Sequence, residues 1–271
     1  IKYCVEKSRA LPEDKEIILS FIRSYNSGFM DKATIAFYVL QYAIEYNNIH
    51  LVQWLIDDSG GKPIADRKRC SSSGMTPLMI AAKFGYLDIF RYLSEKFPDY
   101  FYGTCSCNQR KTFVDYAACN GHINILQYLV SRKYNLRSYG HDAILFAVES
   151  DNIEIVEFLL NQGVMNYRAL QKAASKGLVN TVQTMLTHYT CNEYTYEEDE
   201  TLLMYSCLLG NFELFMAIVS FSRHNLNQVN KNKYGLLDFL FFKYPNRYYI
   251  KYHIGSFPSR LKIVKYLVQM K

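Results

Sequence analysis

Long apolar runs are missing from this 271-residue chain. The densest, Leu236 to Phe242, contains Asp238 and stops at Lys243, short of the roughly 20 residues a membrane-spanning helix needs. No membrane contact is expected. No secretory leader is expected either, since the N-terminus reads Ile1-Lys2-Tyr3-Cys4 and moves quickly into charges. The first residue is Ile1 instead of Met, which predicts that the chain is part of a longer protein. No glycine-rich phosphate loop or nucleophile elbow occurs, which removes the usual sequence warrants for nucleotide hydrolysis and serine esterase chemistry. Strong charge is also absent. The formal net charge of +6 is modest for this length and does not imply nucleic acid. Paired cysteine motifs are lacking: Cys4, Cys70, Cys105, Cys107, Cys119, Cys191 and Cys207 are odd in number and scattered. That pattern favours free thiols in a reducing, cytoplasmic compartment.

What the chain does have is a recurring phrase, a small or polar residue followed by a hydrophobic stripe ending in an aromatic–aliphatic pair. It reads Asn47-Asn48-Ile49-His50-Leu51-Val52-Gln53-Trp54-Leu55, then Gly85-Tyr86-Leu87-Asp88-Ile89-Phe90-Arg91-Tyr92-Leu93, then Gly121-His122-Ile123-Asn124-Ile125-Leu126-Gln127-Tyr128-Leu129. Later copies begin at Asp151, Gly177, Gly210 and Ser259, so starts at 47, 85, 121, 151, 177, 210 and 259 are spaced by 38, 36, 30, 26, 33 and 49. Self-similarity at such a period predicts a stacked repeat array, and arrays of this kind present binding surfaces.

The second copy carries the physics of one repeat. Thr76 is placed to cap a helix, and Pro77 follows where a missing N–H costs nothing. Leu78, Ala81 and Ala82 give that helix a small-residue face, and Gly85 ends it in a left-handed turn. Leu87, Ile89, Phe90 and Leu93 then form the apolar stripe of a second helix, with Asp88 and Arg91 turned outward. Neither helix can bury its stripe without neighbours.

The stretch Gly74-Met75-Thr76-Pro77-Leu78-Met79-Ile80-Ala81-Ala82-Lys83-Phe84-Gly85 resembles the ankyrin repeat signature. Tyr116-Ala117-Ala118-Cys119-Asn120-Gly121-His122 and Lys172-Ala173-Ala174-Ser175-Lys176-Gly177 repeat it. The resemblance covers roughly residues 38 to 268. It departs from the family at Met79, where a hydrogen-bonding His is usual, and most copies lack the Thr-Pro. It implies an all-α ankyrin-repeat solenoid of about seven helix-turn-helix repeats with projecting loops. Residues 1–37 are expected to form a helical cap or degenerate repeat, including an amphipathic helix at 14–25. Residues 38–271 are expected to form the array, with an insertion at about 242–258. The last helix, with Val264, Leu267 and Val268, is expected to lie uncovered, so that more chain or a partner would follow.

The implied function is a non-enzymatic protein–protein interaction module that uses its concave loop face. Expected contacts on successive loops are Arg67, Lys68, Arg69, Asn108, Arg110, Lys111, Arg137, Tyr139, His141 and Asp142. Lys83, Phe84, Asn120, Glu149 and Lys176, near first-helix ends, extend that surface, and the basic loops suit an acidic patch on a host protein. The prominence of Tyr (24), Phe (17), Ile, Asn and Lys is what an AT-rich coding sequence produces. Degenerate ankyrin chains of that style are similar to those of large DNA viruses and of effector-injecting intracellular bacteria, which places the expected action in a host cytosol. The alternative is a substrate-recruiting domain of a larger enzyme or ubiquitin-ligase adaptor.

Sites of chemistry are weaker. Cys70, Cys105 and Cys107 fall at similar distances before the helix starts at Thr76 and Thr112, and His141 would complete a thiolate-rich zinc site. Cys-x-Cys is not a strong zinc spacing, so neither metal nor cofactor is expected. Cys119 with His122, or Cys105 with His141, would make a nucleophilic pair, but no orienting group or oxyanion device accompanies either. The acidic run Glu197 to Glu200 lacks the alternating oxygens and turn glycine of a calcium loop. The aromatic-basic stretch 244–253 suits either base stacking or packing over the last repeat.

Overall fold

The computed structural model describes residues 20, 32–57, 75–98, 111–140, 142–188, 202–221, 226–227, 229, 233–241 and 257–270. These residues form helices and connecting turns, with no strand among them. The chain divides into two compact units, 1–135 and 136–271. Unit 1 contains α1 (Lys32–Glu45), α2 (Ile49–Asp57), α3 (Pro77–Phe84), α4 (Leu87–Lys96), α5 (Phe113–Cys119) and α6 (Ile123–Ser131). Unit 2 begins with the single turn α7 (Leu136–Tyr139). It continues with α8 (Ala143–Glu149), α9 (Ile153–Asn161), α10 (Tyr167–Ser175), α11 (Val179–His188), α12 (Leu202–Leu209), α13 (Phe212–Phe221), α14 (Leu236–Phe241) and α15 (Phe257–Gln269). Among the described residues the helices before and after α7 pair as hairpins, three pairs in unit 1 and four in unit 2, which agrees with about seven repeats.

Most of these helices run only six to ten residues, too short to persist alone in water. Stacking supplies the stability. In unit 1, the first helices α1, α3 and α5 pack in sequence and so do the second helices α2, α4 and α6. In unit 2, α8, α10, α12 and α14 make one row, and α9, α11, α13 and α15 the other. The second-helix stripes are sealed between rows: Ile89, Phe90, Ile125, Leu126, Val156, Leu159, Phe215 and Ile218 are fully buried. Burial of each such side chain is worth about 1.5–3 kcal/mol.

One turn geometry makes six of the hairpins. Asn47, Gly85, Gly121, Asp151, Gly177 and Gly210 all have positive φ, from 55° to 81°, where Gly is free of strain and Asn or Asp is tolerated. The next N–H reaches back five residues each time, from Asn48 to Ala43 O, Tyr86 to Ala81 O, His122 to Ala117 O, Asn152 to Ala147 O, Leu178 to Ala173 O and Asn211 to Ser206 O. This is a Schellman closure that satisfies carbonyls the helix end would otherwise leave orphaned. Each accepting residue is Ala or Ser and fully buried, which leaves room for the adjoining first helix.

Start signals are equally local. Thr76 accepts from Met79 N at 3.3 Å, with Pro77 at the first helical position. Thr112 and Asp115 form a reciprocal capping box. Asn48, Asn152 and Asn211, each just after a left-handed residue, accept from Leu51 N, Ile155 N and Leu214 N.

Two expectations change. Ser259 does not begin a turn but lies inside α15, because the stripe that marks this copy runs on a longer helix. Leu267 is buried at 8% exposure and Val264 is half-buried, so only Val268, at 64%, lies open as expected. Leu267 shares the buried face of α15 with Ile263, four residues before it. Helix α1 starts at Lys32, ahead of the expected boundary at 37. The expected helix at 14–25, apart from Ser20, and most of the 242–258 insertion lie outside the described residues.

Candidate functional site

A first helix ends with carbonyls that its own backbone does not fully satisfy. Among the described residues, a side chain from a following repeat reaches them in four places. In unit 1, the Tyr86 hydroxyl donates to Glu45 O at 3.2 Å, and His122 Nε2 lies 2.9 Å from Lys83 O. In unit 2, Lys176 Nζ donates to Glu149 O at 2.6 Å and Val148 O at 3.4 Å, while the Arg260 guanidinium donates to Leu208 O at 3.1 Å and Leu240 O at 2.9 Å. The last two place cations at helix C-termini, where the helix dipole favours them. These bridges fix the edge on which first-helix ends and turns are displayed.

Within unit 1 that edge carries Lys83 and Phe84. The Phe84 ring stacks on Tyr86 with centroids 5.8 Å apart and planes 11° apart, and the Lys83 ammonium stands 5.5 Å from the Phe84 centroid. Gly85 is doubly required: its φ is +77°, and a Cβ there would meet the His122 ring at 2.4 Å. Asn120 is exposed and donates its amide to Tyr116 O at 2.8 Å. Lys111 lies 5.9 Å from the Tyr116 ring centroid.

The outer faces of the second helices in unit 1 are laced differently. Asp57 pairs with Lys96 at 2.6 Å and accepts from the Tyr92 hydroxyl at 2.8 Å. The Lys96 hydrogen bond, then that of Tyr92, holds the Asp57 carboxyl below its ordinary value. Arg91 lies over the Tyr128 ring.

The pattern of ankyrin repeats (3 copies) matches residues 9–103 and 100–169, more than half of the chain. The chain belongs to the ankyrin-repeat family. A curated relative, the Caenorhabditis elegans ankyrin repeat and KH domain-containing protein mask-1, is 30% identical over 150 residues, covering 52% of this chain. The chain spans only 6% of that relative's length. Among solved structures, the ankyrin repeat domain of Bcl-3, described as a unique member of the IkappaB protein family, matches with a TM-score of 0.63. It is 16% identical, with 83% of this chain and 97% of that chain covered. The human ASB11 ankyrin repeat domain matches with a TM-score of 0.44 at 14% identity, covering 88% and 90%. The Bcl-3 likeness shows the fold. Ankyrin repeats are generally protein–protein interaction modules, and the fold is typically non-catalytic.

On this ankyrin frame the expected contact residues divide into two groups. Lys83, Phe84, Lys111 and Asn120 stand on unit 1. Glu149 and Lys176 stand at first-helix ends in unit 2, both engaged within the unit: Lys176 caps α8, and the Glu149 carboxylate faces Lys172 at 3.6 Å. Arg137 is exposed on α7, and Asp142 accepts from Asn166 Nδ2 at 3.3 Å. Arg67, Lys68, Arg69, Asn108, Arg110, His141 and the side chain of Tyr139 lie outside the described residues, as do Cys70, Cys105 and Cys107.

Among the described residues no group of three His, Cys, Asp or Glu side chains is placed to hold a metal ion. His122 does not serve Cys119, because its Nε2 meets the Lys83 carbonyl in the preceding repeat. Cys207 is buried, and burial pushes its thiol up, well away from thiolate. No described helix is long and apolar enough to cross a membrane.

Sequence reasoning missed the bridges made by Tyr86, His122, Lys176 and Arg260. A signal existed for Tyr86, which holds the same place after its turn glycine as His122.

Proposed function

We propose that the chain is a non-enzymatic binding module that takes a protein partner on first-helix ends and adjoining turns, with Lys83, Phe84, Lys111 and Asn120 as contacts within unit 1, and Arg137 and Asp142 as candidate contacts of unit 2 taken by itself. The supporting observation is the mounting of that edge. His122 from the next repeat meets the Lys83 carbonyl, and Tyr86, stacked on Phe84, is tied to Glu45 O in the repeat before, which lowers the ordering cost of binding there. The cations suit an acidic patch on the partner. The AT-biased composition and degenerate repeats support a host-directed effector acting in the cytosol, by analogy with viral and intracellular-bacterial ankyrin chains. A second reading, a substrate-recruiting domain of a larger enzyme or ubiquitin-ligase adaptor, draws support from the curated relative, of which this chain matches only a small part.

The test is capture of partners from a eukaryotic cytosolic extract by this chain and by a variant carrying Lys83→Glu, Lys111→Glu and Arg137→Glu. A partner lost from the variant, with its helical circular dichroism unchanged, supports the assignment. Equal capture by both chains overturns it. A partner that is itself a ubiquitin-ligase subunit favours the second reading.

A further inference from the structure

Among the described residues of unit 1, Phe84 is the one large apolar side chain left exposed, at 38%. A lone exposed aromatic is ordinary on a protein surface. Phe84 differs in how it is held. Its ring is stacked on Tyr86, and the Tyr86 hydroxyl is tied to Glu45 O in the repeat before. The carbonyl of the preceding residue, Lys83, meets His122 from the repeat after, and the following residue, Gly85, has no freedom to acquire a Cβ against that imidazole. The aromatic pair is therefore clamped from both neighbouring repeats.

The cation beside it is equally distinctive. Lys96, on the outer helix of the same repeat, is paired with Asp57 at 2.6 Å. Lys83 has no carboxylate in salt-bridge range among the described residues; its ammonium rests near the Phe84 ring instead. Rigid, pre-organised aromatic anchors concentrate binding energy at protein interfaces, and a cation without a carboxylate partner adds preference for an acidic one.

Resting on the interaction-module reading, we propose that the Phe84–Tyr86 stack and Lys83 form a two-point anchor for a linear acidic segment of a partner protein. An apolar or aromatic side chain seats on the Phe84 ring, and an Asp or Glu close to it in sequence takes the Lys83 ammonium. The occupant is an acidic peptide with an embedded hydrophobe. A basic peptide would meet the Lys83 charge directly, and a purely acidic one would leave the ring bare.

The test is selection of a random-peptide phage library on the full chain, followed by titration of the enriched peptides. The expected consensus couples an apolar or aromatic residue with Asp or Glu. Phe84→Ala should weaken the selected peptides by roughly tenfold or more without loss of helical signal. Lys83→Glu, selected afresh, should turn the acidic position basic while keeping the apolar one. Peptides that bind the Phe84→Ala chain equally well would overturn the anchor and leave the binding-module reading standing. A consensus without the acidic–apolar pair would also overturn it. Absence of any enriched peptide would count against the anchor, while partner capture from the extract decides the broader reading separately.

Discussion

Among the described residues, the side chains that reach first-helix carbonyls from the next repeat are a phenol and an imidazole in unit 1, Tyr86 and His122; in unit 2 they are an ammonium and a guanidinium, Lys176 and Arg260. The units also differ in what they leave open. Unit 1 exposes Phe84 alone among its described large apolar side chains. Unit 2 exposes Ile153, Met165, Phe221 and a cluster on or near its last hairpin that includes Leu237, Phe241, Leu261 and Val268. The same backbone turn serves both, so the hairpin tolerates different chemistry wherever an acceptor carbonyl is met. Sealing of the stripes is a separate matter, decided by whether a face has another hairpin against it.

The sharpest way to break the contrast between sealed and open faces uses two residues of α14. Phe239 is 2% exposed and Phe241 is 62% exposed. Phe239→Ala should cost about 3–5 kcal/mol through lost burial and a residual cavity. Phe241→Ala should stay within about 0.5 kcal/mol. Urea unfolding followed by circular dichroism, with hydrogen exchange read at α14, measures both. Comparable costs would mean that Phe241 is covered in solution.

Next in size is a comparison of turn glycines. Gly85→Ala forces a left-handed alanine and drives its Cβ into the His122 ring, where the closest approach would be 2.4 Å. Gly177→Ala carries the same backbone strain but meets only the Asn211 amide at 3.3 Å. About 1–2 kcal/mol is expected from the conformation alone, so Gly177→Ala should fall there and Gly85→Ala distinctly above it. Adding His122→Ala to Gly85→Ala should recover part of the excess, a coupling that a double-mutant cycle reads directly. Additive effects would show that the ring moves aside freely.

Smaller still is the difference in the bridges. Tyr86→Phe removes a neutral hydrogen bond, worth about 1 kcal/mol. Lys176→Met removes a cation from a helix C-terminus, worth about 0.3–1 kcal/mol at low ionic strength. Molar salt should shrink the Lys176→Met effect and leave the Tyr86→Phe effect nearly unchanged. Matching salt responses would erase the distinction between the two units.

Much of this arrangement is legible in the amino-acid sequence. Six of the seven phrase starts, Asn47, Gly85, Gly121, Asp151, Gly177 and Gly210, are the left-handed turn residues themselves. Only a small set of residues tolerates that conformation, so the turn leaves a mark in the sequence. The Ala-Ala signature was legible for a related reason, since its first alanine supplies the Schellman carbonyl under a closely packed neighbour. Ser259 misled because an apolar stripe reports a helix face and not where the helix begins. The Arg260 bridge to Leu208 O, 52 residues away, leaves no local trace at all. Candidate contacts were the least legible: Lys176 and Glu149 look like free surface charges in sequence, and only packing reveals that one caps a helix and the other faces Lys172.

The weakest expected effect concerns Asp57 on the outer face of unit 1. Its carboxyl is held below its ordinary value, chiefly by the Lys96 hydrogen bond and then by that of Tyr92. A carboxyl depressed in the folded state binds its proton less readily there than in the unfolded chain. Its contribution is therefore present above the unfolded value and fades as pH falls through the folded one. Asp57 is exposed, so solvent screening keeps that contribution small. The stability gap between the native chain and Asp57→Asn should be largest near neutrality and should close on acidification below the ordinary carboxylate range. A gap that widened with acid would reverse the sign of the linkage and place the Asp57 proton on the folded state. A gap that never changed would show that the Lys96–Tyr92–Asp57 cluster does not persist in solution, leaving apolar packing to join α2 and α4.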